Sequence, residues 1–352
     1  MPWHTVLACV KVKCSHSDAP HPDLGEESSP AKDIVAQAGD YSRIHLAHRP
    51  FQLFSISLLI YGPSFNISVY DRGGVLHSPR RDIYDDNGLT ADFVFVVKRL
   101  LQDLSPVELG REPGVELHGP EIEDGTANDS LSYPRFRVPA LPAQPTYFAG
   151  YWTTDGRPIW TSYSLVGRGT VVWKATADPD TSNRAYVLKS AWRRACRPSE
   201  VAVYEYLRER RLTGARGIAD FLAGDNVALR RADGTTAPLS INALRPADAH
   251  VEPDMVLHRV LLPSVGTPLW LFEDPAHFVR ALLAVVKGIE ALAEHGILHR
   301  DISIGNVLLS ADPRAGHEAF LTDFEFASIR EWDDAGAVDD SQGVKQESHM
   351  TV

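Results

Sequence analysis

Hydrophobic positions follow two different periods in the first third of the chain. From Phe51 onward apolar residues alternate with polar ones, and "YGPS" interrupts the alternation, which predicts a β-hairpin. Thr90 to Leu104 instead places apolar residues at helical spacing. A short strand over residues 5–13 and a helix between the Ser29-Pro30 pair and Pro50 complete the pattern. We therefore expect a small α/β region over residues 1–104.

The pattern changes twice more along the chain. Residues 105–145 are rich in Pro, Gly and acidic residues without an apolar period, which predicts a linker or long exposed loop. Strand-like segments, "YFAGYW" and "PIWTSYSLV", then open a second domain over residues 146–330, and we expect Asp155-Gly156 to join them. Residues 331–352 are acidic and aperiodic, which predicts a disordered tail.

The clearest helix is "EDPAHFVRALLAVVKGIEALAEHG", residues 273–296. Asp274 can cap it, Pro275 suits its first turn and Gly296 can end it. Its spacing predicts a buried face made of Phe278, Leu282, Val285, Val286, Ile289, Leu292 and Ala293. The loop "HRDISIGN" follows at once, so we expect a rigid helix to hold it.

Composition narrows the classes of partner. Thirty-five Lys and Arg against 46 Asp and Glu give a net charge of −11, which argues against nucleic acid or an anionic membrane as a partner. No apolar run matches a signal peptide or a membrane span. The three cysteines form neither a disulfide framework nor a paired metal motif. We expect an intracellular protein, cytoplasmic or nuclear.

Two stretches near the end of the chain carry candidate chemistry. "HRDISIGN" places Asp301 and Asn306 five residues apart, so that a carboxylate and an amide oxygen can face one pocket. This arrangement suits a reaction that needs a carboxylate beside a hydroxyl and an amide oxygen beside a metal ion. Asp323 ends a short hydrophobic strand, where its carboxylate could hold Mg²⁺ or serve only as a turn residue.

Candidate phosphate-binding groups lie upstream. Gly167 and Gly169 in "LVGRGTVVWKA" would let backbone N–H groups approach phosphate oxygens, although two glycines also suit a plain tight turn. Lys189 lies in the apolar strand "AYVLKS", and Glu200 lies in the first turn of the next predicted helix. The two could pair, or Lys189 could be a solvated edge residue. Five signals therefore follow one another along the chain: the glycine turn, Lys189, Glu200, the "HRDISIGN" loop and Asp323. In this order they match the groups that carry out phosphoryl transfer on a protein-kinase scaffold.

"LVGRGTVVWKA", "HRDISIGNVLL" and "LTDFEFA" resemble the fungal-type protein kinase family, a divergent branch of the eukaryotic-like kinases. "LLIYGPSFNISVYDRGGVLHS" is similar to the segment that precedes the kinase lobes in that family. The resemblance implies an α+β fold in which a small α/β domain precedes a β-rich lobe and the start of a helical lobe. It implies ATP and Mg²⁺ as cofactors and a protein as substrate.

The resemblance also implies a role for each candidate residue. Gly167 and Gly169 would cover the ATP phosphates, Lys189 would contact the α- and β-phosphates while paired with Glu200, and "HRVLLPSVG" would lie beside the adenine. Asp301 would take the proton of the substrate hydroxyl. The remaining expectations are that Asn306 and Asp323 hold Mg²⁺, that His299 packs beneath the site, and that Arg300 pairs with a phosphorylated residue.

Two departures from the family pattern keep alternatives open. Ser303 stands where serine/threonine kinases carry a lysine, which leaves the acceptor residue, Ser/Thr or Tyr, undecided. Glu325 replaces the glycine of Asp-Phe-Gly. Only a short acidic segment follows, so we expect an incomplete larger lobe, and a pseudokinase scaffold is the first alternative. A small-molecule kinase on a related fold is the second, and Arg300 counts against it.

Overall fold

The computed structural model describes residues 6–14, 33–118, 134–141, 150–178, 184–231, 233–311 and 317–334. Its strands are β1 Cys9–Lys13, β2 Phe54–Tyr61, β3 Ser64–Asp71, β4 Gly74–His77, β5 Arg81–Asp82, β6 Tyr84–Asp85, β7 Gly88–Leu89, β8 Glu116–His118, β9 Arg135–Pro139, β10 Tyr151–Thr161, β11 Val171–Asp178, β12 Tyr186–Arg194, β13 Gly217–Ile218, β14 Ala223–Asn226, β15 Ala228–Arg230, β16 Thr236–Pro238, β17 Met255–Leu262, β18 Gly266–Pro268, β19 Ile297–Leu298, β20 Val307–Ser310, β21 Ala319–Leu321 and β22 Ser328–Ile329. Its α-helices are α1 Asp33–His48, α2 Ala91–Lys98, α3 Glu200–Glu209, α4 Ile241–Leu244, α5 Pro275–Glu294 and α6 Arg330–Asp334. Among these residues, no helix is long and apolar enough to cross a membrane.

The chain divides into two units. The first comprises residues 1–184, 188–195 and 224–259, and the second comprises residues 185–187, 196–223 and 260–352.

The first unit begins with a sheet in the order β1-β2-β3-β4, with β5 also paired to β3. Strands β2 and β3 form the predicted hairpin, and their antiparallel register runs from Phe54 opposite Asp71 to Tyr61 opposite Ser64. Helix α1 buries Ile34 against this sheet. The Ser29-Pro30 pair lies outside the described residues. The hairpin prediction is confirmed.

The helix predicted after this sheet is also confirmed. Thr90 caps α2 by accepting a hydrogen bond from the N–H of Phe93, and a π-helical turn, Arg99–Asp103, extends the helix. Phe93 and Leu100 are among the residues that pack on the hydrophobic cluster around Phe65. Leu101, which the helical spacing included, is 77% exposed because the π-helical turn shifts its direction.

The larger sheet, most of whose residues lie in the first unit, has the order β14-β17-β12-β11-β10-β9-β8. Its β8 and β9 lie in the segment expected to be an irregular linker, so that expectation was wrong for these residues. In β9, buried Phe136 and Val138 alternate with arginines, a two-residue period that was too short to stand out. The turn predicted at Asp155-Gly156 was also wrong, because β10 continues through these residues with an irregular register. The predicted domain boundaries stay predictions.

The second unit is built around the sheet β13-β21-β20-β18 and the helices α3 and α5. Asp274 caps α5 as predicted, since its carboxylate accepts the N–H of His277 at 2.7 Å, and Pro275 is its first residue. The predicted buried face is only partly correct. Its fully buried residues are Ala281, Ala284, Val285, Gly288 and Leu292.

Small residues face inward on α5 because the helix lies close to β13. A Cβ added to Gly288 would lie 2.6 Å from the carbonyl oxygen of Gly217. The side chains of Leu282 and Val286, which were expected to be buried, are 38% and 56% exposed. Large apolar residues therefore lie on the outer side of this helix.

Replacing Gly288 by Ala should lower the free energy of unfolding by about 1–3 kcal/mol, because the added methyl group overlaps the backbone of Gly217. Helix propensity alone would give a gain of about 1 kcal/mol. Gly39→Ala is the matched control, since a Cβ at this helical glycine meets no atom closer than 3.7 Å. Urea unfolding followed by circular dichroism measures both variants. Stabilisation by both alanines would contradict the close approach of α5 to β13.

Candidate active site

The loop of residues 299–306 is held at both ends by regular structure. Helix α5 ends before Gly296, which has a positive φ of 69° and turns the chain into β19. Strand β19 pairs with β22, and β20 begins directly after Asn306. The predicted attachment of this loop to a long helix is therefore confirmed.

The antiparallel pairing of β20 with β21 brings Asn306 close to the residues that follow β21. Val307, the first residue of β20, pairs with Leu321, the last residue of β21. The N–H of Thr322 donates to the carbonyl oxygen of Asn306 at 3.0 Å. Asn306 and Asp323 consequently lie at the same end of one hairpin.

Asp301 and Asn306 are joined by hydrogen bonds across the loop. The side-chain nitrogen of Asn306 donates to Oδ2 of Asp301 and to its carbonyl oxygen, both at 2.9 Å. The N–H of Asn306 donates to the carbonyl oxygen of Ser303 at 3.1 Å, while the side chain of Ser303 is exposed. The loop thus fixes the carboxylate by contacts within itself.

His299 lies beneath this loop, as the family resemblance implied. Its ring is 3% exposed and lies 4.7 Å from the ring of Phe324. Nδ1 is placed to accept the N–H of Asp301 at 3.4 Å, and Nε2 lies 3.0 Å from the carbonyl oxygen of Thr322. Nε2 must carry the proton, because a carbonyl oxygen can only accept. The ring therefore links the Asp301 loop to the Asp323 segment.

Glu200 reaches the same cluster from α3. Ser199 caps this helix, and Glu200 is its first residue and fully buried. Its Oε1 accepts the N–H of Phe324 at 3.2 Å. Burial raises the pKa of Tyr204 well above its ordinary value, and the carboxylates of Glu200 and Asp323 add to that rise. Two acidic groups therefore lie near one buried phenol.

Backbone strain marks both ends of the cluster. Arg300 and Asp323 each have a positive φ of 64°, in the left-handed region that residues other than glycine rarely adopt. Such a residue costs on the order of 1–3 kcal/mol and persists only where its surroundings determine it. The side chain of Arg300 is exposed.

The first unit holds the other three predicted site residues. Gly167 and Gly169 both have positive φ values, 88° and 48°, in the loop between β10 and β11. Lys189 lies on β12 and is buried. On the adjacent strand β17, burial and then the charge of Lys189 lower the pKa of His258 to about 3, with smaller contributions from Arg193 and Arg168.

Comparison with known proteins places this arrangement in a family. A model of the fungal protein kinase family matches residues 2–342. The chain belongs to this family. It has the protein-kinase-like fold that the sequence motifs predicted.

Two further similarities cover smaller parts of the chain. A serine/threonine-protein kinase PLK4 from Nematostella vectensis is 49% identical over 49 residues, which are 14% of this chain and 5% of that protein. The chain therefore spans a small part of the curated relative that it matches. The crystal structure of the pseudokinase PEAK1 (Sugen kinase 269) gives a TM-score of 0.28 at 17% identity, over 46% of this chain and 40% of the other.

The backbone of Gly167 makes a contact that the sequence-based expectation did not include. The N–H of Gly167 donates to the carbonyl oxygen of Arg72 at 2.9 Å, so it is engaged within the protein rather than directed at a ligand. The family resemblance covered the segments that contain Arg72 and His258, but it assigned no role to either residue. Long-range pairing brings Arg72 to the glycine loop and His258 to Lys189.

The second unit of the chain offers oxygen ligands for a hard cation. Within the described ranges, no group of three or more His, Cys, Asp and Glu residues is arranged to hold a metal ion. Mg²⁺ does not need such a cage, because it is usually bound by one or two carboxylates together with water and substrate phosphates. The carboxylate of Asp323 and the amide oxygen of Asn306 fit this requirement.

Replacing Glu200 by Ala should lower the free energy of unfolding by about 1–3 kcal/mol, because the buried N–H of Phe324 loses its acceptor. Glu200→Gln keeps an acceptor oxygen and should restore most of this loss. Glu205→Ala, on the exposed side of the same helix, is the control and should change stability by about 0.5 kcal/mol or less. Equal losses in the Ala and Gln variants of Glu200 would show that charge, not this hydrogen bond, matters.

The stability of the chain should fall as the pH is lowered from about 6.5. The folded pKa of His258 is about 3, so the unfolded chain binds a proton that the folded chain refuses. The contribution of His258 to the free energy of unfolding is fully present above about pH 6.5. It is lost towards pH 3, by about 1 kcal/mol per pH unit. His258→Leu should reduce this slope in urea unfolding between pH 7 and about 4.5. An unchanged slope would contradict the neutral, buried state of His258.

Proposed function

We propose that this chain is an ATP- and Mg²⁺-dependent protein kinase that transfers the γ-phosphoryl group of ATP to a hydroxyl of a protein. The supporting observation is that Asn306 and Asp323 lie at one end of the β20–β21 hairpin while Asn306 holds Asp301. A carboxylate for the hydroxyl and two oxygen ligands for the metal are thus gathered in one cluster. The catalysis is mainly positioning and charge neutralisation.

Asn306 has two roles in this proposal. Its side-chain nitrogen is committed to Asp301, so its amide oxygen Oδ1 is the atom that would hold Mg²⁺. The carboxylate of Asp323 would be the second ligand. ATP would supply the phosphoryl group, and Mg²⁺ would supply the positive charge that neutralises its oxygens.

Asp301 is the proposed base. Its Oδ2 accepts the hydrogen bond from Asn306, which leaves Oδ1 to take the proton of the substrate hydroxyl. His299 keeps the loop in place through the N–H of Asp301. The hydroxyl oxygen then forms the new bond to phosphorus, and ADP leaves with the electrons of the broken bond.

The remaining roles follow the family resemblance. Lys189 would contact the α- and β-phosphates with Glu200 as its partner, Gly169 would lie over the phosphates together with Gly167, and Arg300 would bind a phosphorylated residue. The substrate is a protein, and its acceptor residue, Ser/Thr or Tyr, is left open. We also propose domain boundaries at residues 104, 145 and 330. The proposed location of the protein is intracellular.

A nucleotide-binding scaffold without transfer activity is the second candidate. The observation that favours it is the absence of a positive charge between Asp301 and Asn306, where Ser303 is exposed to solvent. A loop without a lysine offers no cation to the γ-phosphate. Binding of nucleotide is common to both candidates, and only transfer separates them.

The test combines thermal unfolding of the full chain with a transfer assay. MgATP at 100 times its Kd should stabilise the wild-type chain by about 2.7 kcal/mol. Asp323→Asn should remove this effect while the fold remains, since asparagine tolerates the left-handed backbone of residue 323. Asp301→Asn should keep the MgATP effect and lower the transfer of γ-labelled phosphate to casein by about 100-fold or more.

Three outcomes are distinguishable. Stabilisation by MgATP with transfer that depends on Asp301 supports the kinase. Stabilisation without transfer supports the scaffold. The absence of any MgATP effect on a cooperatively unfolding wild-type chain overturns both. Asp233→Asn, in an exposed turn, serves as the control for loss of an unrelated carboxylate.

A further inference from the structure

The glycine loop, residues 162–170, lies between β10 and β11. Within the first unit it contacts side chains from residues 34–72. Leu165 packs on an apolar cluster formed by α1, β2 and β3, which includes Ile34 and Tyr70. The ring of Tyr163 lies edge-on to His48 at 5.9 Å. Two side chains that lead into the loop are therefore anchored on residues far outside the kinase motifs.

Arg72 makes the closest polar contacts with this loop. Its Nη1 donates to the carbonyl oxygens of Ser164 at 2.5 Å and Leu165 at 3.3 Å, and its own carbonyl oxygen accepts the N–H of Gly167. The guanidinium occupies the space that a Cβ on Gly169 would need. The absence of that Cβ thus lets the arginine lie beneath the loop.

Arg72 is itself held firmly. It follows Asp71 in the turn between β3 and β4, and Asp71 accepts two hydrogen bonds from Arg245, at 2.5 and 2.7 Å. Oδ1 of Asp71 also accepts the N–H of Gly73. Arg72 is 4% exposed, and burial lowers its pKa to about 10, against the opposing effect of Asp71. The side chain is therefore a cation at neutral pH, fixed in one place.

We propose that Arg72 is a positioning residue for the nucleotide, which acts by holding the glycine loop in the shape that covers the phosphates. Loops with two glycines at positive φ lose much conformational freedom when they order around a ligand. A loop that is already fixed avoids that loss, and its groups stay within the narrow tolerance that phosphate contacts need. The inference rests on the proposed nucleotide binding.

The test compares the binding of MgATP with that of adenosine, which has no phosphates. Arg72→Met, which removes the donors and keeps the length, should weaken MgATP binding about tenfold or more and leave adenosine binding within about twofold. Arg72→Lys keeps the charge but loses the two-carbonyl contact, so it should give an intermediate loss. Leu165→Ala loosens the same loop from the apolar side and should act in the same direction.

Hydrogen exchange supplies a measurement that does not depend on nucleotide. In the chain without nucleotide, amides of residues 162–170 should exchange about tenfold faster in Arg72→Lys and Arg72→Met, because local opening becomes easier. Amides of β12 should not change, except that of Trp192, which donates to the carbonyl oxygen of Arg168 in this loop. Arg157→Met, an exposed arginine on β10, is the matched control and should leave exchange and both affinities unchanged.

Each result decides the question. Unchanged exchange in both Arg72 variants overturns the claim that Arg72 holds the loop. Faster exchange with unchanged MgATP affinity overturns the positioning role, and tighter MgATP binding also does, since the contact would then hold the loop away from the phosphates. A wild-type chain that binds neither ligand overturns the proposed function and the positioning role with it, while the exchange data still decide whether Arg72 holds the loop. Should Arg72→Met fail to fold, Arg72→Lys and Leu165→Ala carry the same comparison.

Discussion

The burial of Phe324 is the contact on which the candidate active site of the second unit depends. Its side chain is fully buried against His299 and Tyr204, and its N–H is bound by Glu200. Truncating a buried phenylalanine costs about 3–5 kcal/mol, whereas one residue in the left-handed region costs about 1–3 kcal/mol. The burial of Phe324 therefore outweighs the strain at Asp323, and an apolar contact holds a polar site in place.

In the first unit, buried ion pairs hold together segments that are distant in the sequence. Asp71 and Arg245 form one pair and Glu112 and Arg259 form another, and all four side chains are 4% exposed or less. A buried pair often adds little stability compared with an apolar pair of the same size, but loss of one partner costs about 3–5 kcal/mol. These pairs consequently specify which segments of the first unit pack together, more than they add to its stability.

Local sequence patterns predicted the elements of this fold well and their surroundings less well. The hairpin that turns at "YGPS" and the helix capped by Asp274 depend on neighbouring residues, and both predictions were confirmed. The buried face of α5 was partly mispredicted because large apolar residues were assumed to face inward. Helical spacing shows which residues share a face, but it does not show that a neighbouring backbone approaches at Gly288.

In the candidate site, too, contacts between residues close in the sequence were predictable and contacts between distant segments were not. Asp301 and Asn306 are joined across one short loop, so their spacing in the sequence was sufficient. The contact of Arg72 with Ser164 spans 92 residues, and no periodicity encodes it. Arg72 and Asp71 are adjacent yet bind different partners, one the glycine loop and the other Arg245. A single turn thus joins the kinase loop to a buried ion pair, and a change in that ion pair would reach the loop without touching any kinase motif.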